Sequence, residues 1–329
     1  MARGLQAHVD SMFRSLLIAL AIVAALPAEG AEGSHDTASA RLDCRYARLA
    51  EMGEAPGPLE SVLLPDSDVF RPILADQREP RFYADYRRVH FRGQDQLAEG
   101  QGPDIDVGMV AFGGEFGIWG LRQRRGCDGL QVSLFGVVFS QFNLDAASLD
   151  LLNSDYLVGP VLTYRHGPWS GRLRFYHQSS HLGDEFLLNY GIANGVQRQN
   201  LSVEVIDLLV SLENTWWRVY AGGGVIAFSS SQPDLKSTPG FVLWGLELRG
   251  PAWGWQNSTL RPVFGGSFSQ LQATGWSLNG SLEGGIEWAS PNAAHRIRAL
   301  LVAQRGALPF SQFFSERTQN FGFQLQFEF

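Results

Sequence analysis

The last eleven residues, QNFGFQLQFEF, constrain the fold more than any other stretch of the chain. Successive side chains of a strand point to opposite faces, so from Asn320 onward apolar and polar residues separate completely. One face carries Phe321, Phe323, Leu325, Phe327 and Phe329, and the other carries only glycine, amide and carboxylate residues. At the edge of a water-soluble sheet, this row of phenylalanines would promote aggregation. The pattern therefore favours a strand with one face in lipid and the other in water.

The first 31 residues have the pattern of a signal peptide. Arg14 precedes an apolar run at residues 16–26, and the small-x-small sequence at residues 28–30 suits a cleavage site. The run is too short to cross a bilayer. Met12 could be the true start of translation. We therefore exclude residues 1–31 from the fold and expect the mature chain to be exported.

The exported chain has no transmembrane helix in its sequence pattern, because no later window offers about 18 consecutive apolar residues. It could be soluble in the periplasm or the medium. Alternatively it spans a membrane as strands, since only helices and closed barrels satisfy their backbone groups in hydrocarbon. The terminal strand favours the second alternative.

Residues 82–329 follow the pattern of an all-β, transmembrane, up-and-down antiparallel barrel, with segments of about ten residues that alternate apolar outward and polar inward. In WSLNGSLEGGIEW, residues 276–288, tryptophans flank the strand as an interfacial girdle would. Counts of ten or fourteen strands stay open. We predict twelve strands, near residues 82–92, 105–121, 129–143, 155–165, 170–182, 200–213, 215–228, 240–250, 259–272, 276–289, 295–305 and 319–329.

Residues 32–81 lack alternation, and we interpret them as a periplasmic extension that packs against or into the barrel mouth. The alternative is an ordered linker with no role of its own. Cys44 lies in this extension and Cys127 in a connection on the same side, so an oxidising compartment could join them. Two free thiols are the other alternative.

The net charge of −7 points to no particular partner, and Lys236 is the sole lysine. No basic patch, P-loop or dinucleotide motif is present, so we expect neither nucleic acid nor nucleotide. The inward strand positions carry many charges, which could form ion pairs in the lumen or line an anion-selective pore. These residues are Arg172, Arg174, Arg261, Arg296, Arg298, Glu204, Glu247, Glu283 and Glu287.

The stretch FYHQSSHLGDEF, residues 175–186, is the segment that could do chemistry. Alternation puts His177, Ser179 and His181 on the lipid face, near the outer end of their strand. A serine becomes nucleophilic when a base takes its proton and a third group orients that base. His177 is the candidate base and His181 an equally spaced competitor. A lipid acyl hydrolase would need one of them within hydrogen-bond reach of Ser179.

His177-Gln178-Ser179 resembles the histidine-glutamine-serine element of outer-membrane phospholipase A, a twelve-stranded barrel, and the histidine-x-serine strand of the lipid A 3-O-deacylases. The resemblance implies an outward serine and histidine at the outer leaflet. It also implies calcium near the developing oxyanion, for which Asp184 and Glu185 are the candidates. The phospholipase continues with asparagine-glycine, whereas this chain has Ser180 and His181. The third group is unassigned, with Asn200, Asn189 and Asp184 as candidates by position.

The elements FRPILADQREPRF, FYHQSSHLGDEF and ALPFSQFF together resemble a family of bacterial outer-membrane proteins of unknown function. The C-terminal strand ending at Phe329 resembles the signal that the barrel-assembly machinery recognises. Outer-membrane lipids are the other expected partner. The sequence favours a non-catalytic barrel for transport, binding or envelope structure, in which HQSSHLG is a polar rim. A lateral acyl hydrolase and a pH-responsive site using His177 and His181 are the alternatives.

Overall fold

The structure is a computed structural model. It describes residues 58–65, 68–92, 104–123, 127–191, 201–229, 237–255, 258–289, 296–308, 311–314 and 316–328. The predicted signal peptide, Met12, Lys236, Cys44, Asn200 and Phe329 lie outside these residues. None of the described helices has the length and apolar content that a bilayer crossing requires.

Strands make up nearly all of the described chain. They are β1 (Leu59–Leu63), β2 (Phe82–Phe91), β3 (Asp104–Gln123), β4 (Gly129–Asn143), β5 (Leu151–His166), β6 (Trp169–Leu182), β7 (Leu201–Glu213), β8 (Trp217–Ser229), β9 (Gly240–Arg249), β10 (Trp253–Trp255), β11 (Ser258–Leu271), β12 (Ser277–Ala289), β13 (Arg296–Ala307) and β14 (Arg317–Glu328).

Twelve of these strands, β2 to β9 and β11 to β14, close into an antiparallel barrel. Each pairs with its neighbour along the chain, and β14 closes on β2 with Phe327 opposite Phe82. All twelve predicted strands are therefore confirmed. The sequence pattern did not predict β1 or β10. The first of these covers the free edge of β3, pairing Leu59 with Gln123, because β3 is twice as long as β2 and extends past it.

The outer wall of the barrel is apolar. Large apolar side chains on all the barrel strands, β2 to β9 and β11 to β14, point outward, or lie at the rim, and are exposed or half-buried. Examples are Phe116, Leu134, Leu173, Leu208, Val219, Leu278, Leu301 and Phe323. Such a surface removes no apolar area from water unless lipid covers it. The wall is therefore that of a membrane-spanning barrel.

Residues 68–81, which we call the plug, lie inside the barrel. Val69, Ile73 and Ala75 are fully buried. Arg71 donates to Glu247 at 2.9 Å, and Glu79 accepts from Arg172 at 2.5 Å. The segment therefore occupies the lumen at the end where β2 begins, which we call the plug end. The opposite end, where β6 stops, is the far end.

The upper lumen, toward the far end, is apolar. We expected polar residues at inward positions, but Ile105, Val107, Met109, Phe139 and Val203 all face inward and are buried. They belong to one apolar cluster that also contains Phe186 and Phe313, from segments beyond the strand ends. The inward apolar side chains of the strands pack here against one another and against these two phenylalanines. The barrel interior is thus half ion-pair network and half apolar core.

Cys127 is buried at the plug end beside the first residues of β4, and it is not a free thiol. Its predicted partner, Cys44, lies outside the described residues, so the pairing stays a prediction.

Candidate functional site

A tight turn sets the position of β6. Gly167 adopts a left-handed φ of +55°, and His166 pairs directly with Trp169 across the two-residue connection. Glycine takes this conformation without the cost that a Cβ would add. From this turn, alternation along β6 sends Arg172, Arg174, Tyr176, Gln178 and Ser180 inward. The register at the turn therefore fixes which face the candidate residues occupy.

His177, Ser179 and His181 lie on the outward face of β6, as predicted, and near its far end. His177 and Ser179 are half-buried and His181 is exposed, whereas the inward Gln178 and Ser180 between them are buried. On the neighbouring strands, Ser179 lies opposite Tyr156 of β5 and Ser202 of β7. The three residues are thus presented to the surroundings of the barrel and not to its lumen.

Glu204 of β7 is the cross-strand neighbour of His177, and His177 Nδ1 lies 3.1 Å from its Oε1. A carboxylate only accepts hydrogen bonds, so Nδ1 carries the proton in this pair. In a neutral imidazole the other nitrogen, Nε2, is then the acceptor. Glu204 therefore holds His177 in the tautomer that a general base requires.

The outward position of Glu204 corrects the sequence prediction, which placed it among the inward charges. Glu204 shares the outward face of β7 with Ile206, Leu208 and Val210, whereas Asp207 faces inward. Both faces of β7 carry apolar residues and at least one acid, so the presence of a charge did not identify the lumen side. The sequence signal for the outward face was the series of apolar residues at every second position after Glu204, toward the plug end.

Ser179 Oγ forms no hydrogen bond to His177 or His181 in the part of the chain that the structure describes. Residues i and i+2 of a strand stand about 6.5–7 Å apart, and the serine side chain is short. The two side chains therefore have to lean together for proton transfer. Catalytic hydrogen bonds in free enzymes are often long and tighten only when substrate binds.

His181 differs from His177 in its surroundings. Its ring packs edge-on against Tyr156, with the ring centroids 5.9 Å apart. Among the described residues, no carboxylate is bonded to His181. His177 is therefore the better candidate for the base, and His181 lies beside the site.

A groove in the outer wall begins at these residues. It has a volume of about 640 Å³ and is lined by His177, Ser179, His181, Tyr156, Val158, Val138, Gly136, Phe112, Val137 and Leu157. Gly136 leaves its floor open, since the only heavy atom within reach of an added Cβ is the Leu157 carbonyl oxygen at 4.0 Å. The groove thus joins the polar residues at the far end to the apolar wall.

Other outward polar pairs lie at the same end of β2 to β5. Arg88 bonds to Asp106 at 2.9 Å, and Ser140 Oγ lies 2.7 Å from Ser154 Oγ. Polar side chains on the lipid side of a barrel are tolerated near the interface and costly at the bilayer centre. His177 and Ser179 thus lie at the end of the barrel wall where other outward polar pairs occur.

The remaining candidates do not join His177 in the described structure. Asn189 donates to Asp150 at 3.1 Å, and Asn200 is outside the described residues. Asp184 and Glu185 form an exposed helical turn beyond β6. Within the described residues, no group of three or more acidic, histidine or cysteine side chains could hold a metal ion.

Residues 36–329 match a family model described as "Protein of unknown function (DUF1207)". The chain belongs to this family. No curated protein matches the DUF1207 chain in sequence.

Several solved barrels are similar to the DUF1207 chain. Outer membrane phospholipase A from Escherichia coli is 13% identical, with 75% of this chain and 93% of that chain covered and a TM-score of 0.45. The calcium-bound dimer of the Salmonella typhi outer membrane phospholipase is 14% identical, covering 86% and 97%, with a TM-score of 0.44. LpxR from Salmonella typhimurium is 10% identical, covering 75% and 100%, with a TM-score of 0.36.

Proposed function

We propose that this protein is a lateral lipid acyl hydrolase, with Ser179 as nucleophile, His177 as general base and Glu204 as the group that orients the base. The observation that carries the proposal is the bond between His177 and Glu204 beside an outward serine at the head of a groove. A solvated polar rim would not require a histidine held by a carboxylate next to a serine.

The reaction follows from these positions. His177 Nε2 takes the Ser179 proton while Oγ attacks the carbonyl carbon of a lipid ester, and the carbonyl π electrons move to oxygen. When the tetrahedral intermediate collapses, the ester C–O bond breaks and His177 protonates the departing alkoxide. Water, deprotonated by His177, then releases the fatty acid and restores the Ser179 hydroxyl. Glu204 stabilises the imidazolium that forms at both steps.

Calcium enters no step of this mechanism. Ca²⁺ takes about six to eight oxygen ligands, and the described residues offer only the exposed Asp184 and Glu185 at the proposed position. Those two residues alone do not fit a calcium site.

The lumen favours a lateral site over a pore. A transport protein requires a continuous water path, whereas the plug and its ion pairs occupy the plug end and apolar side chains fill much of the far end. Barrels of about eight strands are filled by side chains and those of about sixteen leave a channel, so with twelve strands the inward residues decide whether the lumen is filled.

The proposal includes a location. The signal peptide, residues 1–31, would be removed on export, and the strand ending at Phe329 would be recognised by the barrel-assembly machinery. The plug end and the extension, residues 32–81, would then face the periplasm of a Gram-negative bacterium. His177 and Ser179 would lie at the outer leaflet, against outer-membrane lipids.

The test is fatty-acid release from phospholipid and lipopolysaccharide mixed micelles by the refolded protein, with calcium and with a chelator. We expect release in both conditions, and a barrel whose heat-modifiable mobility confirms folding. Fatty-acid release that requires calcium would contradict the calcium-free mechanism but would still support the hydrolase activity. No release from a folded barrel on either lipid would contradict the proposed function.

Glu204 is a positioning residue in this mechanism, and its replacement should lower kcat without changing KM. We expect Glu204→Ala to reduce kcat by about 10²-fold, since an unheld imidazole samples wrong tautomers and orientations. Glu204→Gln keeps a hydrogen-bond acceptor, so its kcat should lie between that of the unmodified protein and that of Glu204→Ala. Steady-state kinetics on a soluble short-chain ester measure both constants. An equal change in kcat for a matched outward variant, Ser140→Ala, would contradict this role.

Filling the groove should change the preference for acyl chain length. Gly136→Leu places a side chain in the open floor, so we expect release of long chains to fall about tenfold while short-chain esters are hydrolysed as before. The measurement compares esters of increasing chain length at fixed head group. Leu134→Ile, at an outward site off the groove, is the control. An equal loss for all chain lengths would mean that the groove does not hold the chain.

A further inference from the structure

A second cavity lies inside the barrel, separate from the outer groove. It measures about 240 Å³ and lies in the lumen between the plug and the far end. Its floor is the plug sequence Ala75-Asp76-Gln77-Arg78, and its roof includes Thr274, Leu308 and Phe314 from the far-end connections. The cavity is therefore bounded on one side by the plug, and it extends toward the far end of the barrel.

The two walls of this cavity differ in polarity. The wall from β5, β7, β8 and β9 is apolar and includes Leu157, Val203, Val205, Ile226 and Phe241. The opposite wall carries polar side chains from β12 and β13 that already have partners. Ser281 Oγ accepts from Gln77, Asn279 Oδ1 accepts from the Ala307 N–H, and Gln304 Oε1 accepts from Arg87 and Asn320. A ligand would thus gain contact area mainly with the apolar wall.

The charges at the floor are paired with one exception. Arg174 makes three hydrogen bonds to Asp207, at 3.1, 3.0 and 2.8 Å, and Arg78 lies 3.5 Å from Asp155. Asp76 is different, because its carboxylate accepts only from the backbone N–H of Arg78, at 3.0 Å, and forms no ion pair among the described residues. Burial raises the pKa of Asp76 and the nearby Glu79 carboxylate raises it further, while Arg174 and Arg172, which are bonded to Asp207 and Glu79, lower it. A cation placed in the cavity would compensate this carboxylate.

We propose that the cavity binds a small amphipathic amine, with its ammonium group on Asp76 and its apolar body along the wall of β5, β7, β8 and β9. Arg78 and Arg174 do not favour an anion instead, since each faces its own carboxylate. A charge-assisted hydrogen bond on a half-buried carboxylate gives the site preference for a cation, and the apolar wall gives it affinity. The site does not depend on the proposed hydrolase, because Ser179 and His177 face the other side of the wall.

The test is calorimetric titration of the refolded protein, in a large-headgroup maltoside detergent, with octylammonium, octanol and octanoate. We expect octylammonium to bind tightest and Asp76→Asn to weaken it by at least about tenfold, with octanol binding unchanged. Val203→Trp, which fills the cavity, should remove the binding of both octylammonium and octanol. Glu60→Gln, on the exposed strand β1, is the matched charge control and should bind like the unmodified protein.

The outcomes separate clearly. Tighter binding of octanoate, an unchanged octylammonium affinity in Asp76→Asn, or no saturable binding of any probe would each overturn the proposal. Retained binding in a folded Val203→Trp barrel would mean that the amine binds elsewhere. Heat-modifiable mobility of every variant shows that a loss of binding is not a loss of folding.

Discussion

Replacing Ser179 or His177 with alanine should reduce fatty-acid release by about 10³-fold or more, the largest effect we expect from any single change. Ser179→Ala removes the only atom that forms the acyl-enzyme bond. His177→Ala leaves the hydroxyl without a base, so the serine stays protonated at neutral pH. Because the two residues act as one unit, the double variant should be no less active than either single one. Release from mixed micelles and from a soluble ester both measure the loss.

The control for this prediction has to be an outward serine at the same membrane level. Ser140 bonds to Ser154 on the same side of the barrel and lies off the groove, so Ser140→Ala should retain full activity. His181→Ala should retain most of it, since that ring packs on Tyr156 and has no described acid partner. Full activity in Ser179→Ala would exclude Ser179 as the nucleophile. Loss of activity in His181→Ala, together with full activity in His177→Ala, would show that His181 and not His177 is the general base.

The fold was predictable because β6, β12 and β14 alternate strictly. Strict alternation sets both the limits of a strand and its outward face, which is why the sequence already put His177 and Ser179 outward. The terminal phenylalanines could only face lipid. No other part of the chain offered that degree of certainty.

Glu204 and the upper lumen were not predictable in the same way. Along β3, apolar Ile105, Val107 and Met109 face inward while Asp106 faces outward, the reverse of the general rule for these barrels. An alternating pattern gives two faces but does not say which one meets lipid when both contain apolar residues. Only the packing of residues from beyond the strands, such as Phe186, decides it.

The insertion of the plug had a weak sequence signal. Its residues have no periodicity, so no strand or helix could be predicted for them. The inward charges of the barrel, however, include buried arginines and acids such as Arg165, Glu213 and Arg218 that need partners. The plug supplies these through Arg71 and Glu79 and through backbone carbonyls. Charge complementarity between a charge-rich segment and a charged lumen was the available clue.

Removing the carboxylate of Glu247 should destabilise the barrel by about 3–5 kcal/mol and release the plug. Glu247 is buried on β9, where Oε2 accepts from Arg71 at 2.9 Å and Oε1 accepts from the Leu74 N–H at 2.8 Å. Arg218, fully buried, lies 3.7 Å from the same carboxylate. In Glu247→Ala, the Leu74 N–H loses its acceptor, and both guanidinium groups lose a neighbouring carboxylate while Glu213 stays near them. A buried charge that loses its partner costs more than the pair contributes, which is why the expected effect is large.

Two measurements separate the loss of stability from the release of the plug. Urea unfolding in lipid vesicles, followed by tryptophan fluorescence, gives the change in the free energy of unfolding. Conductance across a planar bilayer reports whether the lumen is open. We expect it to be closed in the unmodified protein and to open intermittently in Glu247→Ala.

Glu247→Gln keeps the acceptor for the Leu74 N–H and loses only the charge, so it should show a smaller effect in both measurements. Leu246→Ala, on the lipid face of the same strand, controls for a general weakening of β9. If Glu247→Ala unfolds as late as Leu246→Ala and stays closed, ion pairs do not hold the plug, and its apolar contacts through Phe70 and Ile73 have to do so instead.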